Sequence, residues 1–415
     1  MKNLQIFLTE TSMTATSGES QLTSAKPPAS MKVYFKNLNA IRFIAAVLVV
    51  LYHAHNFVVS SGASSWPLLG HVLKDAGRMG VNLFFVLSGF LISYLLLREQ
   101  KETGYVNLKY FYLRRILRTW PLYLAFSITL TLLAPYALQL IGQGPAVTPS
   151  TLLTNLVFVL LFAVNIQLAF FTYNSGIPEI TWSVCVEEQF YLVWPLLLSL
   201  FRKRLMLLFA LMLGTALLSN IVNVLAPVFF NISTKEILYI NYQLLFDKLG
   251  LFGGGMLAAW LLNGRRLHTP FFTAVLRKPV QWLMLALMVS MVFSVIRIPA
   301  LSKYYFDNLI QAGLFSYLML MAVSPHSILK LEHPLLKALG RISYGIYLFH
   351  TAVCKVVLML MLKACGKGAP AIVYELLYPL AAIICTCMLA YVSYELFEKH
   401  FLKRKMKYAV VPSRM

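Results

Sequence analysis

Two residues that are costly to place in lipid, Arg42 and His53, stand eleven positions apart inside the apolar run NAIRFIAAVLVVLYHA. At 1.5 Å per residue that separation is about 16 Å along a helix, and eleven residues make close to three turns, so both side chains share one face. A guanidinium is a permanently charged, planar fork suited to phosphate or carboxylate oxygens. An imidazole with a reference pKa of about 6.5 can take a proton from a hydroxyl near neutral pH. One helix therefore carries an anion grip at one end and a candidate general base towards the other.

Further ionisable and polar groups lie in other apolar runs, where each charge costs about 2.5–3.5 kcal/mol on insertion scales and marks a functional candidate. Asn82 and Ser88 occur in GRMGVNLFFVLSGFLI, and Trp182, Ser183, Glu187 and Glu188 in WSVCVEEQFY. Asp247 and His350 lie in two later runs. Read against the spans below, these residues are expected at one depth in the outer half of the membrane. Adjacent Glu187 and Glu188 project about 100 degrees apart on a helix, so one faces the interior and the other turns aside. Lys248 can neutralise Asp247 locally, and a lone histidine such as His350 can equally be a packing hydrogen-bond donor. At the opposite end, Arg114, Arg115 and Arg118 in FYLRRILRTWPLY and Arg341 in GRISYGIYLFH gather at the level of Arg42 as a candidate phosphate site. Anchoring to lipid headgroups is the plainer account of any one of these arginines. It suits Arg42 least, because Arg42 opens the helix that carries His53.

The elements that must hold these groups are membrane helices. The 415 residues are 59% hydrophobic and only 12% charged, with a mean hydropathy of +0.72. Such values exclude a soluble cytosolic enzyme, a disordered chain and a disulfide scaffold. The net charge of +21 belongs in loops beside anionic headgroups. No basic stretch interleaved with aromatics is long enough for a nucleic-acid surface. Cys185, Cys354, Cys365, Cys385 and Cys387 form no metal or disulfide spacing and read as small buried hydrophobes.

Eleven apolar segments are long enough to approach a span, near 40–60, 80–98, 119–141, 151–172, 182–201, 205–228, 240–263, 280–297, 307–324, 339–361 and 372–397. Segment 151–172 is interrupted by Asn155, Asn165 and Gln167 and is expected to be re-entrant or interfacial. Ten crossings with the N-terminus inside place 27 of the 36 Lys+Arg on the inner face, as the positive-inside rule requires. The expected fold is an all-α polytopic bundle in the cell membrane, with both termini cytoplasmic. Its parts are a disordered tail over residues 1–34, a membrane domain over 35–400 and a basic tail over 401–415. Met31, followed by a Lys-bearing lead-in, is a candidate true start. The oligomeric state is not legible.

The order NAIRFIAAVLVVLYHA, GVNLFFVLSGFLI, RRILRTWPLYL, WSVCVEEQFYLVWP, FDKLGLFGGGMLA and SYGIYLFH resembles the motifs of the acyltransferase 3 family over roughly residues 35–400. The resemblance implies a membrane enzyme that moves an acyl group, commonly acetyl, from cytoplasmic acyl-CoA to a hydroxyl of an extracytoplasmic or lipid-linked carbohydrate. By position it makes His53 the catalytic histidine, Arg42 its partner and Glu187 the first acid of its motif. Arg114, Arg115 and Arg118 match its inner basic motif tied to the donor, and with Arg42 and Arg341, expected at the same level, they form the candidate acyl-CoA site. Asn39 and Asn82 stand where many members carry Asp, and Cys185 where many carry Ser, so a His–Asp pairing through Asn82 is not expected. No fused esterase-type module is expected after the tenth span.

Together these readings place CoA phosphates at the arginines and the thioester near His53, which takes the proton of the attacking hydroxyl. Glu187 would orient the imidazole or contact the sugar. Asn82, Ser88 or Ser183 would serve the oxyanion. Trp182, Glu188, Asp247 and His350 complete the candidate substrate site. No permanently bound cofactor and no metal is expected. Ser88 and Cys185 are the candidates for a covalent route, and a secondary transporter of a small polar or anionic solute is the competing class.

Overall fold

The computed structural model describes residues 33–140, 148–171, 179–264, 269–296 and 306–408. Helices α1 (Leu38–Ser61), α2 (Pro67–Leu73), α3 (Ala76–Thr103) and α4 (Leu108–Leu140) precede a short pair, α5 (Pro149–Leu160) and α6 (Val164–Phe170). Next come α7 (Trp182–Leu200), α8 (Leu205–Phe229), α9 (Thr234–Gln243) and α10 (Leu245–Asn263). Helices α11 (Pro270–Val275), α12 (Lys278–Val292) and α13 (Asp307–Val323) follow. The last group is α14 (Pro334–Arg341), α15 (Ser343–Cys365), α16 (Tyr378–Ser393) and α17 (Lys399–Lys405), with wide π turns at Val373–Leu377 and Tyr394–Glu398 flanking α16. No β-strand occurs among the described residues.

Seven helical stretches among the described residues are long and apolar enough to cross a membrane, and α12 and α13 are shorter apolar helices. The fold is an all-α polytopic membrane bundle, and a helix stands at each of the ten expected spans. Boundaries shift in places. The span expected from 240 starts at Leu245 after a separate α9, and the one expected from 339 is divided between α14 and α15. Segment 151–172 is two short helices broken at Leu161–Ala163, where Phe162 takes a left-handed φ of 52°. Its carbonyl accepts from Gln189 Nε2 at 3.1 Å. The polar residues that interrupt it find partners inside: Gln167 Nε2 donates to Asn155 Oδ1 (2.7 Å) and Asn165 Nδ2 to the Gln243 carbonyl (3.1 Å). Irregular backbone is tolerated in a bundle when protein groups satisfy it in this way. Residues 1–32, including Met31, and residues 409–415 lie outside the described residues. Part of the expected basic tail is helical: Arg114 Nη1 on α4 donates to the Tyr408 carbonyl at 2.7 Å.

Helix α3 is the centre of the bundle. Its apolar window is 83% buried, against 28% for those of α4 and α8. Small residues let its backbone touch its neighbours, as expected where helix association in lipid rests on close packing. A Cβ on Gly89 would sit 2.2 Å from the Phe252 carbonyl oxygen, and one on Gly255 2.2 Å from that of Val86. Helices α3 and α10 therefore cross backbone to backbone. The start of α1 is pinned separately: Asn37, at φ 64°, donates to the Ala322 carbonyl (2.9 Å) and accepts from the Leu331 amide (2.9 Å). That anchor fixes the first turn of the helix on which Arg42 sits.

A buried polar network joins α3, α10 and α13. Arg78 grips both oxygens of Asp307 (3.0 and 2.5 Å) and reaches Asn308 (2.9 Å) and Asp75 (3.1 Å). Asn82 Nδ2 donates to Asn308 Oδ1 (2.9 Å) and Gln311 Oε1 (2.7 Å). Asn308 Nδ2 reaches Asp247 Oδ2 at 3.2 Å. Asp247 also holds Lys248, and both are fully buried. Local neutralisation by Lys248 is thus real, but it occurs inside the bundle rather than at a membrane surface.

Two outcomes follow. Gly89→Ala and Gly255→Ala should each cost about 1–3 kcal/mol through forced helix separation, measured as a lowered thermal midpoint in detergent. Gly214→Ala, with nothing within 4 Å of the added carbon, should change stability by less than about 0.5 kcal/mol. Arg78→Leu strands Asp307 and should cost about 3–5 kcal/mol, whereas Arg98→Ala, at a more exposed pair with Glu102, should cost less than about 1 kcal/mol.

Candidate active site

Helical periodicity brings five helices to one cavity. Ser183, Glu187 and Tyr191 recur at four-residue intervals on one face of α7. Arg115, Arg118 and Thr119 share a face of α4, Ser88 faces them from α3, and Tyr344 and Tyr347 from α15, with Arg42 closing the wall from α1. Counted with the part open to solvent, the cavity takes in about 830 Å³ not occupied by protein atoms.

Its charge is unusual. Arg42 is 9% exposed and Arg115 8% exposed, and neither guanidinium has a carboxylate within ion-pair distance among the described residues. Arg115 Nε is buried without a hydrogen-bond partner. The Arg115 guanidinium instead lies 5.8 Å from the ring centres of Phe111 and Tyr191. Arg42 and Arg115 both line the cavity, and a buried charge without a compensating partner is costly. Arg114 differs: Glu99 pairs it at 2.9 Å, which ties it to the frame. Arg341 is exposed and lines no part of the cavity.

The middle of the cavity holds a serine against a carboxylate. Ser88 Oγ donates to Glu187 Oε1 at 2.8 Å. The Tyr191 hydroxyl lies 3.0 Å from both Ser88 Oγ and Glu187 Oε2. Glu187 is therefore engaged with Ser88 and Tyr191, not with an imidazole as one sequence reading had it. Glu188 turns aside, as the helical offset requires: its carboxylate accepts from Thr119 Oγ1 (2.6 Å) and Trp120 Nε1 (3.0 Å). At one end of the cavity, Tyr347 Oη and Ser183 Oγ are 2.5 Å apart. Trp182 packs on Phe85 and Tyr242 and does not line the cavity. Asn82 and Asp247 belong to the polar network described above, and Cys185 is fully buried against Tyr123 (3.4 Å).

His53 lies beyond Tyr347 rather than in the cavity wall. Its ring stacks on His350, 5.1 Å between centres with 14° between planes, and His350 in turn lies 5.7 Å from the Tyr347 ring. Neither ring nitrogen of His53 has a hydrogen-bond partner among the described residues. His350 Nδ1 is 2.6 Å from the Tyr347 carbonyl, which requires the proton on Nδ1 and leaves Nε2 as a bare acceptor. That Nε2 is buried and unpartnered. His55, two residues on from His53, shows the contrast: Glu375 holds its Nδ1 at 2.9 Å, and Glu375 also accepts from the Trp66 amide at 3.3 Å.

The proposed site residues thus divide. Arg42, Ser88, Arg115, Arg118, Ser183 and Glu187 meet in one cavity, whereas His53 and His350 form a stacked pair next to it. Tyr191, Tyr344, Tyr347 and Thr119 are cavity residues that sequence reasoning missed. Tyr191 had a signal, since it stands four residues after Glu187, and Tyr347 stands three before His350.

Comparison with known proteins identifies a family. A family model described as an acyltransferase domain matches residues 35–395. The peptidoglycan O-acetyltransferase OatA of Listeria monocytogenes is 27% identical over 334 residues, covering 76% of this chain and 49% of its own. The Bacillus subtilis protein YrhL, provisionally assigned as a peptidoglycan O-acetyltransferase, is 30% identical over 170 residues, 40% of this chain and 24% of its own. The chain spans about half the length of the Listeria relative it matches. No solved structure matches it. With the motifs, the cavity and the family match running over the same residues, the chain belongs to the acyltransferase 3 family of membrane proteins.

Proposed function

We propose that the protein is a membrane O-acetyltransferase that takes an acetyl group from cytoplasmic acyl-CoA and places it on a hydroxyl of a cell-wall glycan. The observation that carries the reading is the cavity in which Arg42 and Arg115 hold buried positive charge without carboxylate partners, in a space also lined by Ser88 and Glu187. A CoA nucleotide brings phosphates for those cations and a narrow pantetheine arm for the space between α3, α4 and α7. The glycan class rests on the peptidoglycan O-acetyltransferases to which the chain is similar.

The orientation follows from charge. With ten crossings and both termini in the cytoplasm, the arginine end of the cavity faces the compartment that holds acyl-CoA, and His53 lies towards the other side. His53 then acts as general base on the acceptor hydroxyl, for which its unpartnered ring nitrogens are available. Stacking on His350 fixes the plane of its ring. His55 is unsuited to that task because Glu375 already engages it.

Three outcomes test the proposal in purified protein given acetyl-CoA and a soluble glycan acceptor. His53→Ala should abolish ester formation while the protein still accumulates in membranes, and His55→Ala should retain transfer in the fraction that folds. Arg42→Lys should impair transfer severely, since a point charge does not replace a bidentate fork. Arg115→Gln should raise the KM for acetyl-CoA by about tenfold or more, equivalent to about 1.4 kcal/mol, with little change in the KM for acceptor. Near-normal transfer by His53→Ala, or a shift confined to the acceptor KM in Arg115→Gln, would remove the assignment.

A further inference from the structure

The cavity that suits the donor and the imidazole that suits the acceptor are separate in this molecule. Tyr347 and His350 stand between them, with ring centres 5.7 Å apart and His350 stacked on His53 at 5.1 Å. A thioester held in the cavity with Arg42 and Arg115 shares that space with Ser88, whereas neither His53 nor His350 lines it. Ser88 Oγ is in hydrogen-bond contact with a carboxylate, 2.8 Å from Glu187 Oε1; Tyr191 and Thr119 also bond carboxylates, but Ser88 is the primary alcohol of the three. A serine is a weak nucleophile until a neighbouring base takes its proton. Glu187 is placed to do so, and the Tyr191 hydroxyl, 3.0 Å from both Ser88 Oγ and Glu187 Oε2, keeps the carboxylate and the serine in register.

We propose that Ser88 carries the acetyl group covalently between donor and acceptor, with Glu187 as its base. The inference rests on the acyl-CoA reading above and deepens it. In the first step the Ser88 oxygen attacks the thioester carbonyl, the Ser88 proton passes to Glu187, the carbon–sulfur bond breaks and CoA leaves as the thiolate. An ordinary thiol has a pKa of about 8.5, so this leaving group needs no general acid, and it takes up a proton from water. In the second step the acceptor oxygen attacks the acetyl-serine carbonyl and its proton goes to His53, which then releases it to water and so replaces the proton the thiolate took up. Glu187 returns its stored proton to the departing Ser88 oxygen, restoring both groups. The net reaction transfers one acetyl group with no oxidant or further reactant. Cys185, the other nucleophile of suitable type on the same helix as Glu187, is buried against Tyr123 and lines no part of the cavity.

The backbone supports this role for Ser88. Gly89 beside it packs directly on Phe252 of α10, so the helix cannot rotate about its axis without a clash, and the serine is held facing α7.

The test uses the full chain in detergent with isotopically labelled acetyl-CoA and no acceptor, quenched in acid and mapped by peptide mass spectrometry. The wild type should carry label on Ser88. His53→Ala should hold more of it than the wild type when both are given acceptor, because discharge is blocked. Ser88→Ala should lose label and lower transfer by about 1,000-fold or more, and Ser88→Cys should carry the label as a thioester if the alanine variant does not fold. Transfer to acceptor by a wild type that bears no label, or label on Tyr191 or His53 in place of Ser88, would overturn the relay and leave the acyl-CoA reading standing. A wild type that neither binds nor consumes acetyl-CoA would overturn that reading itself.

Discussion

Buried guanidinium without a counter-charge is the constraint around which the bundle is arranged. A cation deprived of water costs several kcal/mol unless a partner compensates it. The protein uses both available solutions. Arg78 is compensated by Asp307 and Asp75 and ties α3 to α13, and Arg114 is compensated by Glu99. Arg42 and Arg115 are left facing a cavity, which is stable only because that space admits water or an anion. Structure and function divide along this line: paired arginines hold the frame, and unpaired ones mark where a ligand fits.

The same division applies to the histidines and carboxylates. His55 is held by Glu375 and His53 is left open, though they stand two residues apart on one helix. Glu188 is spent on Thr119 and Trp120, while its neighbour Glu187 points into the cavity at Ser88. Helix α3 makes these choices possible. Close glycine crossings with α10 fix its rotation, so Asn82 faces the polar network and Ser88, six residues on, faces the cavity.

Much of this was legible in the sequence, and the reasons are specific. Apolar length gave the helices, and the polar interruptions at Asn155, Asn165 and Gln167 marked the segment that breaks at Phe162. The helical offset separated Glu187 from Glu188. What periodicity along one chain does not contain is the relative height of different helices. Glu187 was expected near His53, but α4 and α7 meet so that Thr119 bonds Glu188 and Arg115 lies over Tyr191, and Glu187 bonds Ser88 and Tyr191 instead. The group of Asn82 and Asp247 shows the same gap: their types mark a buried polar site, yet only the packing of α13 against α3 and α10 shows that both bond Asn308. The tyrosines at 191, 344 and 347 passed unnoticed because aromatic residues are ordinary in a membrane helix, and their hydroxyls acquire meaning only from what they touch.

The central claim is that unpaired guanidinium groups make the cavity a site for the phosphates of the donor. Equilibrium binding of CoA and of pantetheine, which lacks the nucleotide and its phosphates, measures this without any acceptor. CoA should bind at least about tenfold more tightly than pantetheine, a difference of about 1.4 kcal/mol, and Arg115→Gln should narrow the gap. Equal affinities in the wild type would contradict the account.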